Sequence, residues 1–193
     1  MKKALVSTIA ISMLVLLDCG PQELSRSKAK ELISQKIGTQ PVEYGVQFGP
    51  VVVPRVRDAN DLEASPQGKY YRLLETAKMV QLTVEKFTHD PNMGSRAWLT
   101  VAPTDQAAKY ILKKMSPVSI VAICYPEVRE VTGITGNGEK TNAHVEYTLA
   151  YGNMTPFAAP LKQAMPEEYN ALCADTRKAS ANFARFDDGW RLQ

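Results

Sequence analysis

A histidine and a carboxylate lie close together on one predicted strand, where they could act as an acid–base pair. His144, Glu146 and Thr148 occupy alternate positions of the segment 140–151, and alternate residues of a strand point to the same face. Imidazole and carboxylate together can move a proton or begin a metal site. Zinc needs three or four ligands, and no Cys or His lies near enough along the chain to complete a set. We therefore predict an exposed polar patch, with a hydrolase-like site near His144 and Glu146 as the alternative.

Two cysteines of the second half of the chain are candidates for a disulfide. Cys124 lies in the apolar run from Val118 to Tyr125, which predicts a buried and unreactive thiol. A bond from Cys124 to Cys173 would close a loop of about 50 residues and add about 4 kcal/mol in the chain-entropy treatment. The alternative is two buried free thiols that pack as small hydrophobic groups. Both interpretations stay open at this stage.

Other motifs of catalysis and cofactor binding are absent from the sequence. It has no Gly-x-Ser-x-Gly, no His-Glu-x-x-His and no glycine-rich phosphate loop, the patterns that position a nucleophile, a zinc ion or a nucleotide. A literal Ser-x-x-Lys match at residues 25–28 opens an amphipathic segment, where helix capping explains the serine. We predict no catalytic residues, no metal and no cofactor.

The overall composition narrows the class of protein. The 193 residues include 23 basic and 20 acidic side chains, a net charge of +3, which is too balanced to indicate nucleic acid as the partner. Hydrophobic residues make up 45% and charged residues 22%, which excludes a wholly disordered chain and a polytopic membrane protein. The length suits one domain or two small ones.

The first twenty residues have the pattern of an export signal. Lys2 and Lys3 precede an uncharged stretch of 14 residues, Ala4 to Leu17. As a helix this stretch would reach about 21 Å, short of the hydrocarbon core of about 30 Å. The stretch is therefore interpreted as the hydrophobic region of a signal peptide and not as a membrane span.

A cysteine closes this hydrophobic stretch. The segment Leu16-Leu17-Asp18-Cys19-Gly20 resembles the lipobox of bacterial lipoprotein signal peptides, although Asp18 stands where that family has a small residue. The resemblance covers residues 1–20 and implies removal of residues 1–18, acylation of Cys19 and a lipid anchor in the membrane. It predicts a location in the bacterial cell envelope, in the outer membrane or periplasm, where the partner would be another envelope protein. An oxidising compartment also favours the disulfide.

The first half of the mature chain alternates helices and strands. Helices are predicted after Ser25 or Ser27 and over residues 69–78 and 104–115, strands over 42–48, 80–85 and 97–101, and a loop or short helical turn over 55–67. This order, with Tyr71 to Leu82 as a helix that enters a strand, resembles a winged-helix module over residues 24–115. Such modules usually bind DNA, but Lys69, Arg72 and Lys78 stand against Glu75, so protein contact or scaffolding is expected. DNA binding is the second alternative.

The second half has the pattern of an antiparallel sheet. We predict a strand over 118–125, a hairpin of 127–135 and 140–151 that turns at Asn137-Gly138, a helix over 167–178 and a closing hairpin over 179–192. This order is similar to small envelope domains of cystatin or NTF2 type. The predicted fold is therefore α+β, with a signal peptide at 1–18 and subdomains at 19–115 and 116–193. The aromatic side chains are assigned mainly to the core, and Trp98 is a second candidate for a binding patch.

Overall fold

A computed structural model of the protein describes residues 23–92, 94–136, 141–173 and 176–193. The predicted signal peptide, Cys19 and the turn at Asn137-Gly138 lie outside the described residues. The helices are α1 (Arg26–Ile37), α2 (Ala59–Ala64), α3 (Pro66–Thr76), α4 (Asp105–Ala108), α5 (Ala158–Ala164) and α6 (Pro166–Leu172). The strands are β1 (Val42–Gln47), β2 (Gly49–Pro54), β3 (Val80–Asp90), β4 (Gly94–Pro103), β5 (Ile111–Lys113), β6 (Val118–Gly136), β7 (Asn142–Gly152), β8 (Arg177–Phe186) and β9 (Gly189–Leu192). The predicted α+β class is confirmed.

The long strand β6 connects the two ends of a curled antiparallel sheet. Its first part pairs with β1 and with β5, and from Tyr125 onward it pairs with β7. The complete order is β1-β6-β7-β8-β9, with β5 beside β6. The register of the β6–β7 pair shifts twice, between Val128 and Glu130 and between Val131 and Gly133, and such bulges bend a strand and increase its twist. One strand thereby serves two hydrophobic cores.

A second, three-stranded sheet has the order β2-β4-β3. The β3–β4 hairpin runs antiparallel over its whole length, and β2 pairs with the other edge of β4. The helices α2 and α3 lie between β2 and β3 in the chain. Buried side chains of one face, including Val51, Val53, Ala97 and Leu99, join the core beneath the helices.

The buried side chains form two clusters. The first core combines β1, the three-stranded sheet, α3 and α5 with the first part of β6, and Val46, Leu74, Ile123 and Phe157 are fully covered within it. The second core lies between α1 and the sheet of β6, β7, β8 and β9. It includes the side chains of Ala29, Ile33, Val145, Tyr147 and Phe183.

The first helix is positioned by the second core. Of the two predicted caps, Ser25 and Ser27, Ser25 caps α1, because its Oγ accepts a hydrogen bond from the amide of Lys28 at 3.2 Å. The helix turns Ala29 and Ile33 toward the second part of the sheet. It therefore packs on the strands of the second half of the chain, and its buried side chains belong to a different cluster from those of α3.

Three segments differ from the predicted elements. The helix expected over 104–115 ends at Ala108, and Ile111–Lys113 forms β5, because pairing with β6 satisfies backbone groups that a lone helix end leaves open. Residues 158–164, between the predicted hairpin and the next predicted helix, form α5, and the helix expected over 167–178 is the short α6. Both helices cover the first core, so tertiary burial supports elements too short to be stable alone.

Candidate functional site

A groove of about 490 Å³ lies between β1, the start of α3 and α6. Tyr44 of β1, Tyr70 and Tyr71 of α3, and Met165 and Glu168 of the α6 region line it. This volume lies within the range of about 300–1,000 Å³ that is usual for small-molecule sites. The groove is the candidate functional site of the described part of the chain.

Local sequence explains how α3 presents two tyrosines to the groove. Ser65 caps the helix, since its Oγ accepts a hydrogen bond from the amide of Gly68 at 3.0 Å, and Pro66 occupies the first turn, where its missing N–H is harmless. Gly68 permits the close approach of α2, because a Cβ there would lie 2.0 Å from the carbonyl oxygen of Leu62. The consecutive residues Tyr70 and Tyr71 are each 3% exposed.

The three tyrosine hydroxyls have different partners. Tyr44 Oη donates to a carboxylate oxygen of Glu168 at 2.7 Å, and Tyr71 Oη donates to the carbonyl of Gln47 at 3.0 Å. Tyr70 Oη is buried and has no hydrogen-bond partner among the described residues. A buried polar group without a partner in the protein is uncommon and costs stability. The unpaired hydroxyl of Tyr70 is therefore the feature of the groove that most favours a ligand site.

The tyrosine rings pack closely against one another. The centroids of Tyr44 and Tyr70 lie 6.1 Å apart, with the ring planes at 88°, and those of Tyr70 and Tyr71 lie 5.8 Å apart, with the planes at 45°. Edge-to-face packing of this kind is favourable beyond the area buried. The planes of the Tyr44 and Tyr70 rings are thus nearly perpendicular.

Burial keeps the tyrosines protonated. It raises the pKa of Tyr70 and Tyr44 well above the ordinary value, and the carboxylate of Glu168 raises that of Tyr44 further. Burial also raises the pKa of Tyr71 to about 12. All three phenols are neutral at physiological pH, and Glu168 supplies the negative charge of the groove.

The structure brings the two predicted disulfide partners together. Cys124 and Cys173 are buried free thiols, close enough together for each to shift the pKa of the other. Burial raises the pKa of both thiols. Cys124 lies opposite Val42 of β1, and Cys173 ends α6. The pair therefore connects α6, which carries Glu168, with β6, the strand that pairs with the β1 strand of Tyr44.

The predicted polar patch lies on the open face of β7, away from the groove. His144 and Glu146 are exposed, and Thr148 is half-buried. His144 Nδ1 lies 2.8 Å from Oδ1 of Asn182 on β8, so the imidazole is oriented by an amide and not by Glu146. Among the described residues no group of three or more His, Cys, Asp or Glu side chains could hold a metal ion.

Trp98, the other candidate for a binding patch, lies on the outer face of the three-stranded sheet. Its ring is 37% exposed, and its Nε1 donates to Thr88 Oγ1 at 3.2 Å. Lys86 Nζ lies 5.5 Å from the ring centroid. Intramolecular contacts thus occupy both the indole nitrogen and one face of the ring.

The groove residues were not singled out from the sequence, where the tyrosines were assigned to the core. A signal was present, because each of Tyr44, Tyr70 and Tyr71 occupies an inward position of a predicted element, and a buried phenol needs a hydrogen-bond partner. Three such phenols in one core indicate a polar pocket. Glu168 had no comparable signal.

The lipid-attachment residue Cys19 lies outside the described residues. Within the described part of the chain, none of the helices combines the length and the apolar character needed to cross a bilayer. Comparisons of the sequence with protein-family models and with curated proteins, and of the fold with solved structures, find no match.

Proposed function

We propose that this chain is an exported protein, anchored in the bacterial cell envelope through acylated Cys19, which binds another envelope component without catalysing a reaction. The leader of residues 1–18 and its closing cysteine support the location. The observation that carries the binding role is the buried, unpartnered hydroxyl of Tyr70, a residue that lines a groove of about 490 Å³. A ligand atom in the groove would complete its hydrogen bonding.

The anchor is tested by labelling and fractionation. Wild-type chain is expected to incorporate a radiolabelled fatty acid and to remain in the membrane pellet after carbonate extraction. Cys19→Ser should lose the label and enter the soluble fraction, and Cys124→Ser serves as the matched control that keeps both. A wild-type chain that carries no label and stays soluble would refute the anchor.

The binding role is tested by crosslinking inside the groove. A photoreactive phenylalanine analogue in place of Tyr44 is expected to capture an envelope component in intact cells. The same analogue in place of Trp98, on the outer face of the other sheet, is the control. Equal capture at the two positions, or none at Tyr44, would argue against a site in the groove.

A disulfide between Cys124 and Cys173 is part of the same proposal. Each thiol would give up one proton and one electron to a disulfide donor of the thiol–disulfide exchange class, and one S–S bond would form. This bond would hold α6 against β6 and add about 4 kcal/mol to stability. Alkylation before and after reduction should change the mass only after reduction, and urea unfolding of Cys173→Ala should not depend on reductant. Alkylation of both thiols without reductant would exclude the bond.

The segment from β2 to β4 supports a finer proposal, a winged-helix-like module. Two helices separate β2 from β3, and the sheet order is β2-β4-β3, the arrangement of the wing and its helices in that family. The cation Arg72 is paired with Glu75 at 3.1 Å, which neutralises one of the two cations of α3 and leaves Lys69 as the other. Protein contact is the favoured role of the module. DNA binding that weakens steeply with added salt would favour the nucleic-acid alternative.

The hydrogen bond from His144 to Asn182 favours one enzymatic alternative. An amide that orients an imidazole can support a general base, which would make the open face of β7 a hydrolase site. His144→Ala and Glu146→Ala are expected to leave anchoring and crosslinking intact. Loss of turnover of an envelope ester or amide in both variants would favour the enzyme instead.

A further inference from the structure

We infer that the groove binds a primary ammonium group. This inference rests on the proposed binding role and names its ligand. Glu168 is the single side chain with a formal charge at neutral pH among the described residues that line the groove. A carboxylate without a neighbouring cation attracts a cationic ligand and repels an anionic one.

The hydroxyl hydrogens of Tyr44 and Tyr71 already take part in hydrogen bonds within the protein. The hydroxyl hydrogen of Tyr44 goes to Glu168, and that of Tyr71 goes to the carbonyl of Gln47. The oxygens of both phenols therefore present lone pairs, as does the carboxylate of Glu168. A ligand that brings several N–H donors matches this set of acceptors, and an ammonium group has three.

The free hydroxyl of Tyr70 distinguishes an amine from a purely apolar ligand. An apolar ligand would leave Tyr70 Oη buried and unpaired, whereas an ammonium N–H could donate to it once a small movement of the ring uncovers the oxygen. The half-buried ring of Tyr44 also provides aromatic surface for a cation. Charge, hydrogen bonding and ring arrangement thus favour the same ligand class.

The test compares three small probes of equal length on the protein purified from the membrane fraction in neutral detergent. Butylammonium, butanol and butyrate are titrated while the ring signals of carbon-13-labelled tyrosines are followed by NMR. Butylammonium is expected to bind at least tenfold more tightly than butanol or butyrate. Equal affinity for the three probes, or tighter binding of butyrate, would overturn the inference.

Substitutions place the binding in the groove. Glu168→Gln should weaken butylammonium at least tenfold, and the neighbouring Glu167→Gln, which does not line the groove, should change it less than twofold. Tyr70→Phe should weaken it about fivefold without loss of the near-ultraviolet circular dichroism of the fold. Equal effects of Glu168→Gln and Glu167→Gln would show that the amine binds elsewhere.

Two further probes distinguish the sources of the ammonium group. Tighter binding of a short lysine peptide than of 1,5-diaminopentane would support a lysine of a partner protein, and the reverse would support a free amine. If Cys19 anchors the chain and the groove still crosslinks, but no amine binds, the ammonium assignment alone is overturned. If amines bind to a chain that is not acylated, the envelope location alone fails.

Discussion

The two cores of the chain differ in what they bury besides hydrocarbon. The second core, between α1 and the curled sheet, contains aliphatic side chains with Phe183 at 0% exposure and one tyrosine, Tyr147. The first core buries Tyr70, Tyr71 and two thiols next to a groove. Both are built on β6, so the same strand supports an apolar scaffold at one end and a polar site at the other. The buried hydroxyl groups, and not the amount of buried surface, distinguish the core that could hold a binding site.

Alkaline pH should lower the stability of the chain, mainly through the buried tyrosines of the first core. Burial raises the pKa of Tyr70 and brings that of Tyr71 to about 12, whereas an unfolded tyrosine ionises near pH 10. Stability is therefore complete below about pH 10 and is lost as the pH rises toward 12, by about 3 kcal/mol per pH unit for the two residues together. Urea unfolding at pH 9, 10 and 11 measures this slope. Tyr71→Phe should lower the measured slope, to which Tyr44 and Tyr147 with their raised pKa values also contribute, by about 1.4 kcal/mol per pH unit, and an unchanged slope would contradict the assignment.

Shortening a buried side chain in either core should destabilise the whole chain, which should still unfold in one transition. Phe183→Ala and Phe157→Ala, one in each core and both at 0% exposure, should each cost about 3–5 kcal/mol. Because β6 belongs to both cores, we expect one cooperative transition. Denaturation followed through Trp190 after Trp98→Phe, and through Trp98 after Trp190→Phe, gives the two readouts. Separate midpoints for the two probes would show that the cores unfold independently.

Removing the hydroxyl of Tyr70 and removing that of Tyr71 should change the stability of the chain in opposite directions. Tyr70→Phe eliminates a buried hydroxyl without a described partner and should stabilise the chain by about 1–2 kcal/mol. Tyr71→Phe leaves the carbonyl of Gln47 without its donor and should destabilise it by about 1 kcal/mol. Urea midpoints at pH 7 give both values, and Tyr147→Phe in the second core should stay near zero. A loss of stability in Tyr70→Phe would mean that its hydroxyl is satisfied.

The two serine caps provide the smallest and most selective comparison. Ser25→Ala at α1 and Ser65→Ala at α3 should each cost about 1 kcal/mol. Ser65 lines the groove and positions the helix of Tyr70, so its variant should also weaken butylammonium binding about twofold to threefold. Ser25→Ala should leave butylammonium binding unchanged. An equal change in binding in both variants would show that the α3 cap does not position the groove.

Local patterns were sufficient to identify much of the secondary structure. Ser25 as the cap of α1, the alternation of β1 and the strands around residues 80–103 follow from capping, period-two burial and turn residues, which act over a few neighbours along the chain. The proximity of Cys124 and Cys173 was a hypothesis from composition, and their side chains meet. The disulfide itself stays a prediction, as does the role of Cys19.

Long-range packing decided the rest, because it depends on which surfaces meet. Residues 111–113 have the apolar spacing of a helix, yet an available edge of β6 makes them a strand. The tyrosines looked like core residues, and their hydroxyls acquire different roles only when Glu168 and Gln47, distant in the chain, are brought beside them. Hydrogen-bond partners and pKa values are properties of assembled neighbours, whereas caps and strand periodicity are properties of adjacent residues. The elements could therefore be predicted from the chain, and the groove arose from their packing.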